Sequence, residues 1–250
     1  MPSPKPNSPV LQPEIPQDQR DAAARRLPGI QPVPTSNWLT IDTAYSDQLA
    51  QKARLMAQRR EEVCVCLDEA HPAAQELMTE VLHILQSHAG FDINRYRALR
   101  PDGVRIDLDW EEPLVCLSQL IQEDLCILQK HSDTHVLTGA LLCFPASWTL
   151  SEKIGRGLPD IHVPVPEYSD VIARRVQRLF DGVQIGQPLW RANLLNYTDP
   201  SLFHPRLEAE PRHRDHADAK FERSERQTLL RLPESRAVIF AIHTSIVRSG

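Results

Sequence analysis

The sequence predicts an α+β fold in which helices flank an antiparallel sheet. Two observations lead to this prediction. Short apolar segments separated by turn residues recur through the second half of the chain, and the helical segments are grouped rather than alternating strictly with the strands. The chain has 250 residues, of which 41% are hydrophobic. That content is enough for one sizeable core or two small ones.

The N-terminal stretch differs from the rest of the chain in composition. It is rich in proline and poor in large apolar side chains, so it cannot bury enough surface to offset the entropy lost on ordering. We expect residues 1–37 to be a disordered tail and residues 38–250 to form the folded domain. The stretch also lacks the basic and apolar segments of a secretory signal.

Three helices are expected from apolar spacing and from residues that start or stop helices. Ser46 is suited to cap a helix that continues to residue 60. Pro72 suits the first turn of a second helix, which we expect to end at Gly90. A third helix is predicted over 168–180, with Gly182 at its end.

The remaining apolar segments are predicted to be strands. Two of them flank the polar sequence His-Ser-Asp-Thr, which is typical of a hairpin turn. The third helix would separate this hairpin from the later strands. The predicted strands cover 125–129, 136–144, 189–197, 227–232 and 237–242.

Charge and hydropathy narrow the class of function. The net charge of −5 argues against a nucleic-acid partner, because such proteins present a basic surface. No apolar run approaches the roughly 20 residues that span a bilayer. We therefore expect a cytoplasmic protein that binds neither nucleic acid nor membrane.

The cysteines are predicted to be reduced and buried. Their number is odd, they lie in apolar or strand-like surroundings, and none forms a Cys-x-x-Cys pair. Cys64 and Cys66 would share one face of a strand as small core residues. A zinc site built from cysteines is not expected.

The stretch 143–168 contains the most informative candidate for chemistry. His162 lies in a turn stiffened by prolines and follows a loop that carries Lys153 and Arg156. A neutral imidazole on a fixed backbone can coordinate iron, and the two cations can pair with carboxylates or phosphates. This arrangement suits a flat, anionic cofactor. The alternative is that His162 is a hydrogen-bonded core or turn histidine.

Several irregular motifs stand out in the second half of the chain. They are Phe-Pro-Ala-Ser-Trp at 144–148, Glu-Lys-Ile-Gly at 152–155, Ile-His-Val-Pro-Val-Pro at 161–166, Leu-Trp-Arg-Ala-Asn at 189–193, Glu-Arg-Gln-Thr-Leu at 225–229 and Arg-Leu-Pro at 231–233. Together they resemble the motifs of the haem-dependent oxidative N-demethylase alpha-subunit-like family. The resemblance extends from about Trp38 to the C-terminus, and it implies a PAS-like haem fold.

The resemblance also implies an activity. Characterised members of the family are haem b proteins that oxidise a small N-methylated amine with dioxygen. Their electrons come from flavin and iron–sulfur proteins, so a reductase partner is implied here too. By analogy, the methyl group would leave as formaldehyde.

The same resemblance suggests roles for individual residues. His162 would be the axial ligand of the iron, with Cys143 as the alternative ligand. Glu225 would bind an ammonium substrate; otherwise it is an exposed carboxylate at a strand end. The cations that would contact the two haem propionates are Lys153, Arg156, Arg191 and Arg226, and for each the alternative is a solvated surface charge.

Other residues favour simpler interpretations. His213 and His216 have a spacing compatible with a metal site, but their charged, irregular segment favours a mobile loop. Family members usually continue beyond the strand that ends near Thr244, with an aromatic where Ser245 stands. The domain is therefore expected to be shortened at its C-terminus.

The sequence leaves alternative functions open. A PAS-like scaffold could serve as a non-catalytic sensor that binds haem or another small ligand, because PAS-like folds often do so. A scaffold without haem is the simplest possibility.

Overall fold

The computed structural model describes residues 9–26, 29–161, 170–211 and 218–249. Within them, the predicted α+β fold is confirmed: a seven-stranded antiparallel sheet is flanked by helices, and a separate sheet has three strands. The helices are α1 Gln17–Ala23, α2 Tyr45–Val63, α3 His71–Leu85, α4 Pro113–Ser118, α5 Leu158–Ile161 and α6 Asp170–Gly182. The strands are β1 Gln31–Pro32, β2 Cys64–Cys66, β3 Asp92–Ile93, β4 Arg97–Leu99, β5 Arg105–Asp107, β6 Asp124–His131, β7 Thr134–Leu141, β8 Leu189–Tyr197, β9 Phe221–Arg231 and β10 Val238–Arg248.

The five long strands form the centre of the large sheet in the order β7-β6-β10-β9-β8, with the short β2 and β1 at its two edges. Numbered by their order in the chain, these strands run 2-1-5-4-3, which is the order of a PAS-like sheet. The predicted hairpin joins β6 to β7, with Ser132 at φ 52° in its turn. The crossover from β7 to β8 contains α5 and α6.

Alternation along the strands gives the sheet two different faces. One face, here called the helix face, packs Ile127 and Ile239 against α2, α3 and α4, including Leu77 of α3. The other, the crossover face, packs Leu128 and Val238 against the β7–β8 crossover, including Phe180 of α6. Helices therefore cover both sides of one sheet.

The predicted helices are present with shifted boundaries. Helix α2 begins at Tyr45, and its N-cap is Ala44 rather than Ser46, because Ser46 is already inside the first turn. Proline occupies the first turn of α3, as expected. That helix ends earlier than predicted, and Gly90 follows in a turn at φ +89°. Helix α6 matches the third predicted helix over its described residues.

Part of the predicted N-terminal tail is ordered where the structure describes it. Residues 9–26 and 29–37 are ordered, and Ile15, Gln19 and Ala22 are buried. The physical reason is that this segment needs no core of its own: α1 packs on β8, and the backbone nitrogen of Gln12 donates to the carbonyl of Ile246 at 2.9 Å. The rest of the predicted tail, residues 1–8 and 27–28, lies outside the described residues.

The cysteines are all free, as predicted. Cys126 and Cys143 are buried, and burial raises the pKa of both thiols. Cys66 is instead exposed, because β2 is an edge strand. Along the described part of the chain, no helix combines the length and the apolar character needed to cross a membrane.

Candidate functional site

Polar side chains gather at one end of the crossover face. Asn193, Glu225 and Thr244 lie directly opposite one another on β8, β9 and β10, and Arg191 lies opposite Gln227. Residues opposite each other in antiparallel strands project from the same face. We call the resulting group the polar strand cluster; its members are Arg191, Asn193, Arg223, Glu225 and Gln227.

Glu225 is the centre of the polar strand cluster. Its residue exposure is only 6%. Arg223 Nη2 lies 3.4 Å from Glu225 Oε1, and Gln227 Nε2 donates to Oε2 at 3.2 Å. A buried carboxylate needs such partners because removing a charge from water is costly. The alternative interpretation of Glu225 as an exposed carboxylate at a strand end is therefore wrong.

Arg191 lies beside this carboxylate. Its guanidinium donates to the Asn193 side chain, and burial lowers its pKa while the charge of Glu225 opposes that shift. An arginine has five N–H donors. The hydrogen bond to Asn193 uses one of its two terminal nitrogens, and the partly buried side chain is suited to bind an additional anion.

Arg226, another predicted propionate contact, does not lie on the same face as Glu225 and Arg191. Neighbouring residues of a strand point to opposite faces, so Arg226 projects from the helix face while Glu225 projects from the crossover face. Its guanidinium donates to the carbonyls of Asn37 at 2.7 Å and Trp38 at 3.0 Å, and it stacks on the Trp190 ring. Arg226 therefore anchors the segment before α2.

Lys153 and Arg156 meet at a third position. Both contact the carboxylate of Glu208, and Lys153 Nζ also donates to the Ile161 carbonyl at 2.6 Å. The hydrogen bond from Lys153 is the main cause that lowers the pKa of Glu208. Lys153 is 5% exposed and not a free surface charge, whereas the Arg156 side chain is half exposed.

The Lys153 site is distant from Arg191. The backbone of the 153–156 turn pairs with Leu137 of β7, and β7 lies four strands from β8. At the usual strand spacing, that separation is roughly 19 Å. Lys153 and Arg156 therefore form a site separate from that of Arg191.

A clamp of buried charges, which sequence analysis missed, holds the start of the crossover. Phe144 donates its backbone N–H to Asp124 Oδ2 at 2.5 Å, and its carbonyl accepts from Arg223 Nη2 at 2.6 Å. Lys52 Nζ lies 3.1 Å from Asp124 Oδ1, and the side chains of Lys52, Asp124 and Arg223 are at most 1% exposed. A charged residue at the start of an apolar strand, as at Asp124, is a weak local signal that could have been noticed.

Some predicted ligands lie elsewhere. His162, His213 and His216 lie outside the described residues. Cys143 packs in the core of the helix face, and its raised pKa keeps the thiol protonated, which is unfavourable for a metal ligand. Over the ranges that the structure describes, no group of three or more His, Cys, Asp or Glu side chains could hold a metal ion.

The strand order and the covered crossover face define a PAS-like domain. Comparison with protein families gives a more specific result: the model of the family "Haem-dependent oxidative N-demethylase, alpha subunit-like" matches residues 29–249. The chain belongs to this family. The match begins before the predicted boundary at residue 38, in agreement with the pairing of β1 with β8.

Proposed function

We propose that this protein is a haem-binding oxidoreductase subunit that uses dioxygen and externally supplied electrons to demethylate a small N-methylated amine. The observation that carries the proposal is the polar strand cluster, in which Arg191 and the buried Glu225 project from the same face of the sheet. The family to which the chain belongs is described as haem-dependent. The free thiols favour a reducing compartment such as the cytoplasm.

The residues of the crossover face fit haem in their chemistry. Haem combines a broad apolar ring with two carboxylates at one edge, so it needs apolar side chains next to a cation. Leu229 and Phe240 contribute the apolar part of this face, and Arg191 lies at the polar end. Arg191 would hold a propionate. Arg223 is already engaged by Phe144, Leu202 and Glu225.

His162 remains our proposed iron ligand. Lys153 holds the carbonyl of the preceding residue, Ile161, and Glu208 in turn holds Lys153. The prolines at 164 and 166 restrict the backbone that follows. Lys153 and Arg156 would therefore position the ligand-bearing segment rather than contact the propionates. Bound haem would supply the activation of dioxygen.

Glu225 would bind the ammonium form of the amine. Arg223 and Gln227 hold its two oxygens, so the carboxylate has a defined orientation. The overall reaction would consume the amine, dioxygen, two electrons from a reductase and two protons. One oxygen atom would leave in formaldehyde with the methyl carbon, and the other would leave as water.

Absorption spectroscopy tests the cofactor. Full-length protein reconstituted with haem should show a Soret band. His162→Ala should change that spectrum, whereas Cys143→Ala should leave it unchanged. Arg191→Gln should weaken haem affinity about tenfold, the typical effect of losing one charge-assisted hydrogen bond, and the exposed Arg174→Gln should serve as the matched control. A folded sample that takes up no haem contradicts the proposal.

The reaction is tested separately. Haem-loaded protein supplied with dimethylamine, dioxygen and a surrogate reductase should release formaldehyde. Glu225→Gln should raise the KM for the amine because the carboxylate charge is lost. Haem binding without product, with several amines and reductases, would contradict the catalytic part.

A non-catalytic haem or small-ligand sensor is the second candidate. The observation that favours it is that Glu225 already has protein partners on both oxygens. In that case the polar strand cluster would stabilise the sheet and bind no amine.

A further inference from the structure

A cavity lies on the helix face, on the opposite side of the sheet from the polar strand cluster. Its volume is about 400 Å³. His243 and Ser245 of β10 contribute to its lining, together with the 12–19 segment and the 40–43 segment. The ordered N-terminal segment therefore forms one wall of a cavity that the predicted disordered tail would not have formed.

His243 lies at the floor of this cavity as a buried ring whose nitrogens are not hydrogen-bonded to described residues. Its side chain is 1% exposed, and neither ring nitrogen has a hydrogen-bond partner among the described residues. Nε2 lies 3.5 Å from Asp42 Oδ2, too long for a strong hydrogen bond. Burial lowers the pKa of His243, so the ring is neutral near pH 7. A neutral imidazole retains one acceptor nitrogen.

Asp42 is the carboxylate of the wall that contacts His243. Its Oδ1 accepts from Gln122 at 2.7 Å and from the Ala44 backbone at 2.8 Å, and its Oδ2 accepts from Gln12 at 3.0 Å. These neutral donors fix the carboxylate without balancing its charge. Within the described ranges, its ion-pair contact is with His243, which is neutral.

The nearby cationic side chains, Arg226 and Lys52, contact groups other than Asp42. Arg226 lies directly across the strand pair from His243, but its guanidinium is bonded to the carbonyls of Asn37 and Trp38. Lys52 is paired with Asp124. The described lining contains no lysine or arginine, and it includes a second carboxylate, Glu14, which is exposed.

The remaining lining is apolar enough to contact a hydrocarbon group. Pro13, Pro16 and Ile41 stand around the carboxylate, and Thr43 is exposed on the same side. A carboxylate without a cationic partner favours a positive ligand, and the apolar residues favour one with aliphatic carbons. An anion would be repelled by Asp42 and Glu14.

We propose that this cavity binds a small alkylammonium ion, with Asp42 as the counter-ion. The site is separate from Glu225 because the two groups lie on opposite faces of the sheet. Binding of an alkylammonium ion in this cavity requires neither bound haem nor catalysis. If the proposed function also holds, the chain carries two binding sites for amines.

Titration of the full chain with n-butylammonium chloride tests the proposal. The ring signals of His243 in ¹H–¹⁵N spectra, assigned with His243→Gln, should shift and saturate. n-Butanol and sodium pentanoate carry the same butyl group without the positive charge, so they should bind at least tenfold more weakly. Equal affinity for butanol, or no saturable shift with the ammonium ion, overturns the proposal.

Variants locate the binding. Asp42→Asn should weaken n-butylammonium about tenfold, the effect of one charge-assisted hydrogen bond, whereas the exposed Asp47→Asn should not. Glu225→Gln should leave the His243 titration unchanged, which separates this site from the proposed substrate site. An unchanged affinity in folded Asp42→Asn contradicts the assignment.

Introducing a charge at Thr43, at the mouth of the cavity, tests the proposal without changing the hydrogen bonds of Asp42. Thr43 is exposed, so substitutions there should leave the fold intact. Thr43→Arg should weaken n-butylammonium binding, and Thr43→Glu should strengthen it. The reverse order, or the same affinity in both variants, counts against a cation site.

Discussion

At the scale of single residues, Lys52 and Asp124 form an ion pair that is almost fully removed from solvent. Lys52 also donates to the Glu123 carbonyl at 2.5 Å and lies 5.4 Å from the centre of the Phe144 ring. Such a pair contributes little net stability against an apolar replacement, but each charge depends strongly on the other. Its visible effect is to hold the N–H of Phe144 where the crossover begins.

Removing one member of this pair should be costly. Lys52→Met leaves Asp124 buried without its counter-charge, so we expect a loss of about 3–5 kcal/mol in the free energy of unfolding. Urea unfolding measures it. The double variant Lys52→Met/Asp124→Asn should recover part of the loss, because no charge is then left unpaired. A single-variant loss below about 1 kcal/mol would contradict this account of the clamp.

Glu123 makes the stability of the folded protein depend on pH. Burial raises its pKa from 4.5 to about 7. Between these two values the folded protein binds more protons than the unfolded chain, so the contribution of Glu123 to stability is present at low pH and is lost as the pH rises through this window. Burial lowers the pKa of His243, so the contribution of His243 to stability is instead lost as the pH falls.

Glu123→Gln should isolate this effect. The amide keeps an oxygen for the Thr40 N–H, which donates to Glu123 Oε1 at 2.7 Å. Relative to the variant, the wild type should lose on the order of 1–3 kcal/mol of stability as the pH rises from 5 to 8. Urea unfolding at each pH gives the comparison, with the exposed Glu61→Gln as control. Parallel pH curves for wild type and Glu123→Gln would refute a titrating carboxyl.

The predicted site residues show what strand periodicity can and cannot reveal. Glu225 and Arg226 come from one polar motif, but the strand period of two already places them on opposite faces. Applying that period would have separated them. Arg223 could have been grouped with Glu225 by the same rule. Lys52 could not, because no local pattern shows that a helical lysine reaches a strand 72 residues later.

At the scale of elements, the N-terminal segment acts as an additional layer on the sheet. Gln12 exchanges two hydrogen bonds with Ile246: its backbone N–H donates to the carbonyl, and its side-chain oxygen accepts from the Ile246 N–H at 2.8 Å. Its amide nitrogen also donates to Asp42. One glutamine thus joins the segment to β10 and to the loop before α2.

Gln12→Ala should loosen this layer. The change leaves the Ile246 N–H unpaired in a buried position, so we expect a loss of about 1–3 kcal/mol. Hydrogen exchange of the Ile246 amide and urea unfolding both report it. Gln17→Ala is the matched control, because Gln17 is exposed and its side chain donates to Asp21, four residues later, at 2.8 Å. Equal effects of the two substitutions would show that Gln12 is not an anchor.

The strands illustrate which elements are visible in a sequence. The apolar strands β6, β7 and β8 were predicted close to their observed positions. β9 extends from Phe221 and was predicted only from residue 227, because the charged residues of its first half resemble a loop. The short β1 was missed because it exists only by pairing with a neighbour, whereas β2 was anticipated only through the spacing of Cys64 and Cys66. Edge pairing is a tertiary interaction and leaves little periodicity.

At the scale of the whole molecule, the two faces of the sheet have different occupants. The helix face carries the main core and the alkylammonium cavity that we propose. The crossover face divides into an apolar part under α6 and the polar strand cluster. A ligand bound to the native crossover face would stabilise the entire domain, because the unfolded chain does not retain the site.

Haem should therefore raise the stability of the protein as a whole. At a free haem concentration of 100 times the Kd, the free energy of unfolding should increase by about 2.7 kcal/mol. Thermal unfolding with and without haem measures the change. Arg191→Gln should show a smaller increase at the same haem concentration, and Arg174→Gln the full increase. Stabilisation that is identical in Arg191→Gln would remove Arg191 from the cofactor site.

The sequence by itself determined the fold class, the principal helices and strands and the family, because periodicity, turn residues and long motifs are local properties of a chain. Only the tertiary structure decided which charged residues share a surface. Strand pairing places Asn193 opposite Glu225, and packing brings Gln12 to Asp42 and Lys52 to Asp124. These contacts join distant segments, and their energies depend on burial that exists only after the sheet has formed.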